Sequence, residues 1–428
     1  MPRKLVLLCV FISLFASVGV AQAERNAPSG TQPPEKQEVT SYTLSPEKYE
    51  KAVAYSRAQY SLHFIGIGYS LILLLGILAL HVAPRFRDWA ERTSRRRFLQ
   101  ALIFVPLLLA TMDALQLPLS AYGQHLARQY DMSIQGWGSW FWDWTKGELI
   151  QLGIMSMLLF FFYGVVRRSR RRWWLYSGLA VFPLAVVLIF LSPLVLDPLF
   201  NKFEPLENTH PELVAEIEKV IRHGGLDIPR DRMFEMKASE KVKAVDAYVT
   251  GFGSSKRVVV WDTTIASMTT PQTVFVVGHE MGHYMLGHIP KGIAFIGCLI
   301  IGVLYLVYRS VIWALARWQK GWGLRNLEDW ASLPLLMLSF SVFVFLAEPV
   351  GNTFSRYQEH QADVYGLDVT YGIVPDSSQV AAEAFQILGE IDLADPQPSA
   401  FIKFWLYNHP PLAERIAFAH EYKPRQIE

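Results

Sequence analysis

The sequence predicts a mainly α-helical integral membrane protein with six or seven spans and a small α/β insertion. Of its 428 residues, 51% are hydrophobic, and they are concentrated in blocks long enough to cross ~30 Å of hydrocarbon. Arginines crowd short loops between some of these blocks. The longest polar segment carries strand-like and helical patterns together, which predicts the α/β insertion.

Six apolar blocks are predicted to span the bilayer: 61–83, 98–118, 149–166, 174–196, 293–315 and 332–350. A seventh, Leu5–Ala23, follows a basic start and ends in Ala21-Gln22-Ala23. This pattern is typical of a signal peptide, with an uncleaved first transmembrane helix as the alternative. The predicted parts are 1–23 for this segment, 24–60 for an outer polar spacer and helix, 61–196 for transmembrane helices, 197–291 for the catalytic insertion, 292–350 for a transmembrane helix pair and 351–428 for a C-terminal helical part.

The arginine clusters predict the orientation of the chain. They lie in 85–97, 167–172 and 309–325, and cations beside spans favour the cytoplasmic side. The segments 24–60, 119–148, 197–292 and 351–428 are then outside. Nucleic-acid binding is the other explanation of such runs, but clusters this close to spans are typical topology signals, so no nucleic-acid partner is predicted.

Cysteine content limits the compartment and the metal chemistry. The two cysteines, Cys9 and Cys298, both fall in apolar segments, which argues against a disulfide framework and against a cysteine-based zinc site. An outer location without disulfides is compatible with a bacterial inner membrane whose large polar insertion faces the periplasm.

The segment His279-Glu280-Met281-Gly282-His283 indicates metal-dependent hydrolysis. Two imidazoles four residues apart on a helix differ by only about 40° around its axis, so both can face one zinc ion. Glu280 can then activate a metal-bound water. The alternative is a buried helix with incidental histidines.

The insertion around this motif has an ordered pattern. A helix is predicted over Pro211–Arg222, followed by strands at 244–250 and 257–261. Thr270 is predicted to cap the metal helix, with Pro271 in its first turn. Because an extended peptide can add to the edge of a sheet, a strand pair beside a metal helix suits a peptidase.

A third metal ligand has to come from elsewhere in the chain. Glu359 and Asp363 share a helix face, and Arg356 precedes Glu359 by one turn. Glu359 is a candidate ligand, and Asp363 can accept the second N–H of a ligating histidine. The alternative is a solvated charge pattern. His288 is predicted to face away from His279, nine residues along the same helix, and His360 to lie off the Glu359 face.

With these motifs in view, the chain resembles type I CAAX prenyl proteases, membrane zinc metalloendopeptidases. The resemblance covers most of the chain beyond residue 45. It rests on the H-E-x-x-H segment, Asn352 with Ser355-Arg356-x-x-Glu359-x-x-x-Asp363, Asn408-His409-Pro410-Pro411-x-x-x-Arg415, and the run Pro198–Leu206.

The resemblance implies seven helices, counting 5–23, around a water-filled chamber. It implies one Zn²⁺ per chain on His279, His283 and Glu359, and it makes Glu280 the general base and then acid. His409 matches a position for substrate or oxyanion contact, and Arg415 would brace the site through a carboxylate. Asn352, Arg356 and Asp363 belong to the supporting block.

One departure concerns the substrate-pairing strand. The family has Asn-Ala-Tyr, whereas this chain has Asp246-Ala247-Tyr248, and a carboxylate keeps the acceptor but loses the amide donor. These three residues are the predicted substrate contacts.

The predicted partners are membrane lipid and a peptide or protein substrate, with or without a lipid group. The predicted function is therefore a membrane zinc endopeptidase. One alternative is a quality-control peptidase without prenyl specificity. Another, from a different class, is a metal-dependent sensor or scaffold that does not cut.

Overall fold

The computed structural model describes residues 38–191, 195, 197–251, 256–423 and 425. These residues are mainly helical, as predicted. The predicted segment 5–23 lies outside the described residues. The helices are α1 (Pro46–Ala79), α2 (Val82–Thr93), α3 (Arg97–Gln129), α4 (Trp137–Arg168), α5 (Trp173–Leu191), α6 (Asp197–Phe200), α7 (Leu206–Thr209), α8 (Pro211–His223), α9 (Asp262–Ser267), α10 (Thr270–Met285), α11 (His288–Trp318), α12 (Leu333–Thr370), α13 (Ser377–Asp392), α14 (Ala400–Leu406) and α15 (Leu412–Glu421).

Five helices of the described chain are long and apolar enough to cross a membrane. They are α1, α3, α4, α11 and the run Trp330–Thr370 that contains α12. A shorter apolar stretch, Trp173–Val187 in α5, coincides with the remaining predicted span. The spans pack around fully buried aromatic side chains, including Phe104, Tyr163 and Trp330. The Tyr163 hydroxyl lies 2.9 Å from Ser332 Oγ, so its polar end has a partner inside the bundle.

The insertion contains a small mixed sheet. Its strands are β1 (Phe203–Pro205), β2 (Met233–Met236), β3 (Ala247–Thr250) and β4 (Arg257–Trp261), in the order β1-β2-β4-β3. β2 and β4 are parallel, whereas β3 is antiparallel to β4, with Ala247 opposite Val260. Both strands of the predicted pair are therefore present, and the turn at 252–255 lies outside the described residues. β3 is an edge strand.

Long helices connect the membrane part to the sheet part. α1 starts at its N-cap Ser45, whose side chain accepts from the Lys48 amide, and its first turns pack with the sheet through Ala52 and Tyr55. It then continues into the apolar span without a break. α12 likewise crosses the predicted boundary at 350/351 and carries Glu359 and Asp363 near its C-terminal end. The site-bearing residues therefore sit at one end of the span bundle.

The arginine-rich loops lie at the other end of the same helices. α1 runs from the sheet to α2, and α12 runs from the Trp330–Ser332 turn to the site. A buried ion pair of 2.6 Å joins Arg87 of α2 to Asp329, and Arg325 lies 2.9 Å from Glu91. These pairs tie two of the cationic loops into one surface, opposite the metal helix.

Candidate metal centre and active site

α10 presents the two histidines of the motif. Its cap is Thr269, one residue earlier than predicted, and the Thr269 amide donates to Gln272 Oε1 at 2.9 Å in a capping box. Val274, Val277 and Met281 of the helix are buried against α8 and the sheet, each contributing on the order of 1.5–3 kcal/mol. His279 and His283 extend from the helix toward α12.

α10 and α12 approach closely because small residues face each other. A Cβ added at Gly282 would lie 3.1 Å from Ala362 Cα, and one at Gly366 would lie 3.1 Å from the amide nitrogen of His279. Gly278 is similarly crowded by Val369 and Thr370. This contact brings the carboxylates of α12 within reach of the imidazoles. The predictions did not use this feature, although Gly278-x-x-x-Gly282 is a known pattern of close helix packing.

Three predicted ligands converge on one point. His279 Nε2 lies 3.2 Å from His283 Nε2 and 3.3 Å from Glu359 Oε2, and His283 Nε2 lies 3.6 Å from Glu359 Oε1. The donor atoms of these three side chains all fall within 4.8 Å of one another. Two imidazoles and one carboxylate make up the donor set of hydrolytic zinc sites that leave one position open.

The electrostatics of this cluster also fit a cation. Glu359 Oε2 is buried and has no hydrogen-bond partner of acceptable geometry in the described chain. Burial disfavours a charged imidazole, but the carboxylates of Asp363 and Glu359, at 2.9 and 3.3 Å from the ring nitrogens of His279, outweigh burial and raise its pKa to about 10. The carboxylates therefore favour a positive charge at this point, which a bound metal ion would supply.

Asp363 and Arg415 support the first histidine. Asp363 Oδ1 lies 2.9 Å from His279 Nδ1, so the other nitrogen, Nε2, points at the ligand cluster. Arg415 donates to both Asp363 oxygens, at 2.9 and 2.6 Å, and its guanidinium stacks over the Phe385 ring at 4.2 Å. Asp363 is only 1% exposed, so this ion pair keeps a buried carboxylate compensated.

Glu280 lies beside the three candidate ligands and is not one of the group. Its Oε1 is 3.9 Å from His279 Nε2. Burial raises the pKa of its carboxyl, although the two histidines oppose that shift. A carboxylate with a raised pKa beside the candidate metal site is suited to accept a proton and return it.

His409 reaches the cluster from the loop after α14. Its Nε2 lies 3.3 Å from Glu359 Oε2, and its Nδ1 lies 2.9 Å from Asn408 Oδ1. Both neighbouring atoms are oxygens that accept, so the Asn408 contact calls for a hydrogen on Nδ1 and the Glu359 contact for a hydrogen on Nε2. A ring with hydrogen on Nε2 can also donate to a substrate oxygen.

Asn352 and Arg356 donate to the backbone that leads into the His409 loop and do not contact a candidate metal ligand through these hydrogen bonds. Asn352 Nδ2 donates to the Trp405 carbonyl at 2.5 Å, and Arg356 donates to the carbonyls of Lys403, at 3.1 Å, and Tyr407. These carbonyls lie at the end of α14 and just before His409. Both side chains thus connect the α12 helix to the position of His409.

The predictions for His288 and His360 have different outcomes. The expectation for His288 is wrong: it is 3% exposed, and its Nδ1 lies 3.1 Å from His283 Nδ1. The reason is that α10 ends at Met285 and the chain turns at Gly287, whose φ is 66°, so the two histidines do not share one straight helix. His360 is exposed and packs on the Phe418 ring, outside the ligand group.

The predicted substrate segment lies beside the metal helix. β3 packs against α10, and Asp246 immediately precedes this edge strand, followed by Ala247 and Tyr248. The Asp246 amide donates to Thr264 Oγ1 at 2.7 Å, and the same hydroxyl donates to the Asp246 carbonyl. Burial, with the charge of Glu280 next, raises the pKa of the Asp246 carboxyl well above its usual range.

Fold and site together define a class, the multi-pass membrane metallopeptidases, and comparison with known proteins agrees. Residues 207–423 match the model of peptidase family M48. Residues 25–202 match a model described as CAAX prenyl protease N-terminal, five membrane helices. The chain belongs to peptidase family M48.

Relatives and a solved structure support the same assignment. The chain is 33% identical over 380 residues to the metalloprotease YhfN of Bacillus subtilis, covering 88% of this chain and 87% of that one. It is 25% identical over 403 residues to CAAX prenyl protease 1 of Saccharomyces cerevisiae, covering 87% and 86%. The crystal structure of S. mikatae Ste24p shares the fold, with a TM-score of 0.74 at 23% identity over 87% of this chain and 88% of that one. The protein is thus a membrane metallopeptidase that resembles CAAX prenyl protease 1 and acts on peptides or proteins.

Proposed function

We propose that the protein is a zinc endopeptidase whose metal is held by His279, His283 and Glu359. The observation that carries this proposal is the convergence of their donor atoms within 4.8 Å, beside a buried carboxylate that is not itself a ligand. A zinc ion held there would polarise a scissile carbonyl and lower the pKa of a water molecule.

Proton transfer is assigned to Glu280. Its carboxylate accepts the proton of the attacking water and then delivers it to the leaving amine, so that one group serves as base and then acid. The raised pKa of Glu280 helps the second step because it favours retention of the proton until the amine takes it.

Stabilisation of the negative charge on the substrate oxygen is assigned to His409. Its Nε2–H stabilises the developing oxyanion, a contribution worth about 100- to 1,000-fold in rate. Asn352 and Arg356 set the position of His409 through the carbonyls of residues 403–407. Arg415 and Asp363 orient His279.

The substrate is proposed to bind as an extended segment along β3. This strand pairs on one side with β4 and packs beside α10, so backbone groups of Ala247 and Tyr248 can pair with a peptide near the metal. Asp246 begins this segment. Pairing through the backbone accepts many sequences, which suits an endopeptidase.

The site is proposed to face the periplasm of a bacterial inner membrane. Support comes from the arginine-rich loops, which lie at the span ends opposite the metal ligands, and from the preference of such loops for the cytoplasm. A phosphatase fused after residue 428 tests this: it should be active if the C-terminus is outside, and activity only of a fusion within the loop 167–172 would overturn the orientation.

A second candidate function is clearance of damaged or stalled envelope proteins that carry no prenyl group. It is favoured by the same arginine distribution, because prenylated proteins are made in the cytosol. The alternative to this clearance, cleavage of lipid-modified substrates, is supported by the resemblance to CAAX prenyl protease 1. A non-catalytic metal sensor is disfavoured because such a site needs no Glu280.

One assay separates these functions. Purified wild type and Glu280→Gln are incubated with an unstructured protein and with a farnesylated peptide, each with and without a zinc chelator. We expect wild type to cut, and both chelation and the substitution to abolish cutting while Glu280→Gln retains zinc. Cleavage that survives in the variant overturns the mechanism, and zinc binding without any cleavage supports the sensor.

A further inference from the structure

The turn between α10 and α11 places a third histidine against the metal ligands. α10 ends at Met285, Gly287 takes the left-handed backbone conformation with φ 66°, and His288 starts α11. The His288 carbonyl accepts from Gln358 Nε2 of α12 at 3.2 Å. Its ring is buried. It contacts the ring of His283 at a centroid distance of 5.0 Å, and the side chain of Gln361 is a further hydrogen-bonding neighbour.

The contact between these rings joins specific atoms. His283 Nδ1 lies 3.1 Å from His288 Nδ1, whereas His283 Nε2 faces His279 Nε2 at 3.2 Å and Glu359 Oε1 at 3.6 Å. A neutral imidazole carries hydrogen on one nitrogen only, and a metal requires the other nitrogen unprotonated. If Nε2 of His283 is the ligand atom, its Nδ1–H needs an acceptor, and His288 Nδ1 is at the right distance.

We propose that His288 is a positioning residue that accepts the Nδ1–H of His283 and so holds the tautomer whose Nε2 binds zinc. This inference rests on the proposed metal site. His288 takes for His283 the place that Asp363 takes for His279, where the Nδ1 to Oδ1 distance is 2.9 Å. Acceptors that orient a ligating histidine in this way are a general feature of metal sites.

The two acceptors differ in charge, which has a chemical consequence. Asp363 is anionic and is compensated by Arg415 at 2.6 Å, whereas His288 is a neutral acceptor. It orients His283 without adding a second uncompensated negative charge next to Glu359. A zinc ion held by these residues would therefore keep more of its electron-withdrawing strength for the substrate.

The test compares His288→Asn with His288→Leu in the full-length protein. Asn Oδ1 stands close to the position of the His Nδ1 and also accepts, whereas Leu fills similar space without an acceptor. Zinc affinity is measured by competition with a chromophoric chelator, and the melting temperature of each metal-free variant checks its folding. We expect Leu to weaken zinc binding about 10- to 100-fold and Asn to recover most of that loss.

The outcomes separate this inference from the proposed function. Equal, tight and stoichiometric zinc binding by wild type, His288→Asn and His288→Leu overturns the role of His288 while the metal site stands. Equal weakening in both variants also overturns it, since a role in packing alone would not distinguish Asn from Leu. Absence of zinc binding by wild type overturns the proposed function and this inference together.

Discussion

Arg415 donates two hydrogen bonds, of 2.9 and 2.6 Å, to the carboxylate of Asp363, and this carboxylate lies 2.9 Å from His279 Nδ1. Asp363 is therefore shared between a cation that neutralises it and a candidate metal ligand, His279. The α15 helix, which carries Arg415, is in this way connected to the metal site although it supplies no ligand.

Replacement of Arg415 by Met should destabilise the protein more than simultaneous removal of both charges of the Arg415–Asp363 pair. The single variant leaves Asp363 buried without its counter-charge, at a cost of about 3–5 kcal/mol, whereas Arg415→Met combined with Asp363→Asn removes that charge. Thermal melting of the metal-free proteins measures the difference. The control is Lys403→Met, which removes the exposed pair with Glu414 and should change stability little. A double variant no more stable than Arg415→Met would contradict the prediction.

Zinc affinity should rise steeply with pH because a proton occupies the site without metal. The pKa of His279 is raised to about 10, so zinc has to displace about one proton from His279 at neutral pH. The apparent affinity should then increase about tenfold per pH unit from neutrality until pH approaches that value. Calorimetric titration in buffers of different ionisation enthalpy counts the released proton. Release of none at pH 7 would show that His279 is already neutral.

The raised pKa of His279 also determines how the stability of the metal-free protein changes with pH. A histidine whose folded pKa exceeds the unfolded value near 6.5 stabilises the fold fully below that unfolded value, and this contribution is lost as pH rises toward about 10. Chelated wild type should therefore lose stability from pH 7 to pH 10 relative to Asp363→Asn, in which the main hydrogen bond that raises the pKa of His279 is weakened.

Gly282→Ala should disturb the metal centre through helix packing. The new Cβ would lie 3.1 Å from Ala362 Cα and from Tyr365 Cβ, so α12 has to shift, and Glu359 shifts with it. Overpacking of this kind costs about 1–3 kcal/mol, and zinc affinity should fall with the melting temperature. Gly302→Ala in α11 is the control, because nothing lies within 4 Å of its added Cβ. If both substitutions behave alike, close packing does not determine the ligand geometry.

Periodicity and motif spacing predicted the elements better than their contacts. Hydropathy located the spans because a helix in a bilayer requires a long apolar run. The shared face of Glu359 and Asp363 followed from the helical repeat. The contacts of Asn352 and Arg356 with residues 403–407 did not, because no local pattern relates positions about fifty residues apart.

The error at His288 has a local cause. A straight helix through residue 288 turns that side chain away from His279, whereas the left-handed Gly287 ends α10 and turns it back toward His283. Glycine after a periodic run is a signal for a helix end, so this part of the site was within reach of sequence reasoning. The close approach of α10 to α12 was harder to predict from the sequence, since it depends on which glycines face each other.

Asp246 should act as a hydrogen-bond donor in spite of being an acid. Burial, then the charges of Glu280, Asp392 and Glu359, raise its pKa well above the usual range. This shift favours the protonated carboxyl, which offers both an O–H donor and a carbonyl acceptor. It then resembles the Asn that the family has at this position. Asp246→Asn should therefore keep kcat/KM at neutral pH within a few-fold of wild type.

The pH profile of kcat/KM distinguishes Asp246 from Glu280. Wild type should lose activity as pH falls, because Glu280 must be ionised to act as a base, and lose substrate binding as pH rises, because Asp246 then loses its donor and gains a charge. Asp246→Asn should keep the acid limb and lose the alkaline one, with the alkaline effect seen in KM rather than in kcat. An alkaline limb that is unchanged in Asp246→Asn, or a loss of more than about tenfold at neutral pH, would show that Asp246 is an ionised carboxylate in the working enzyme.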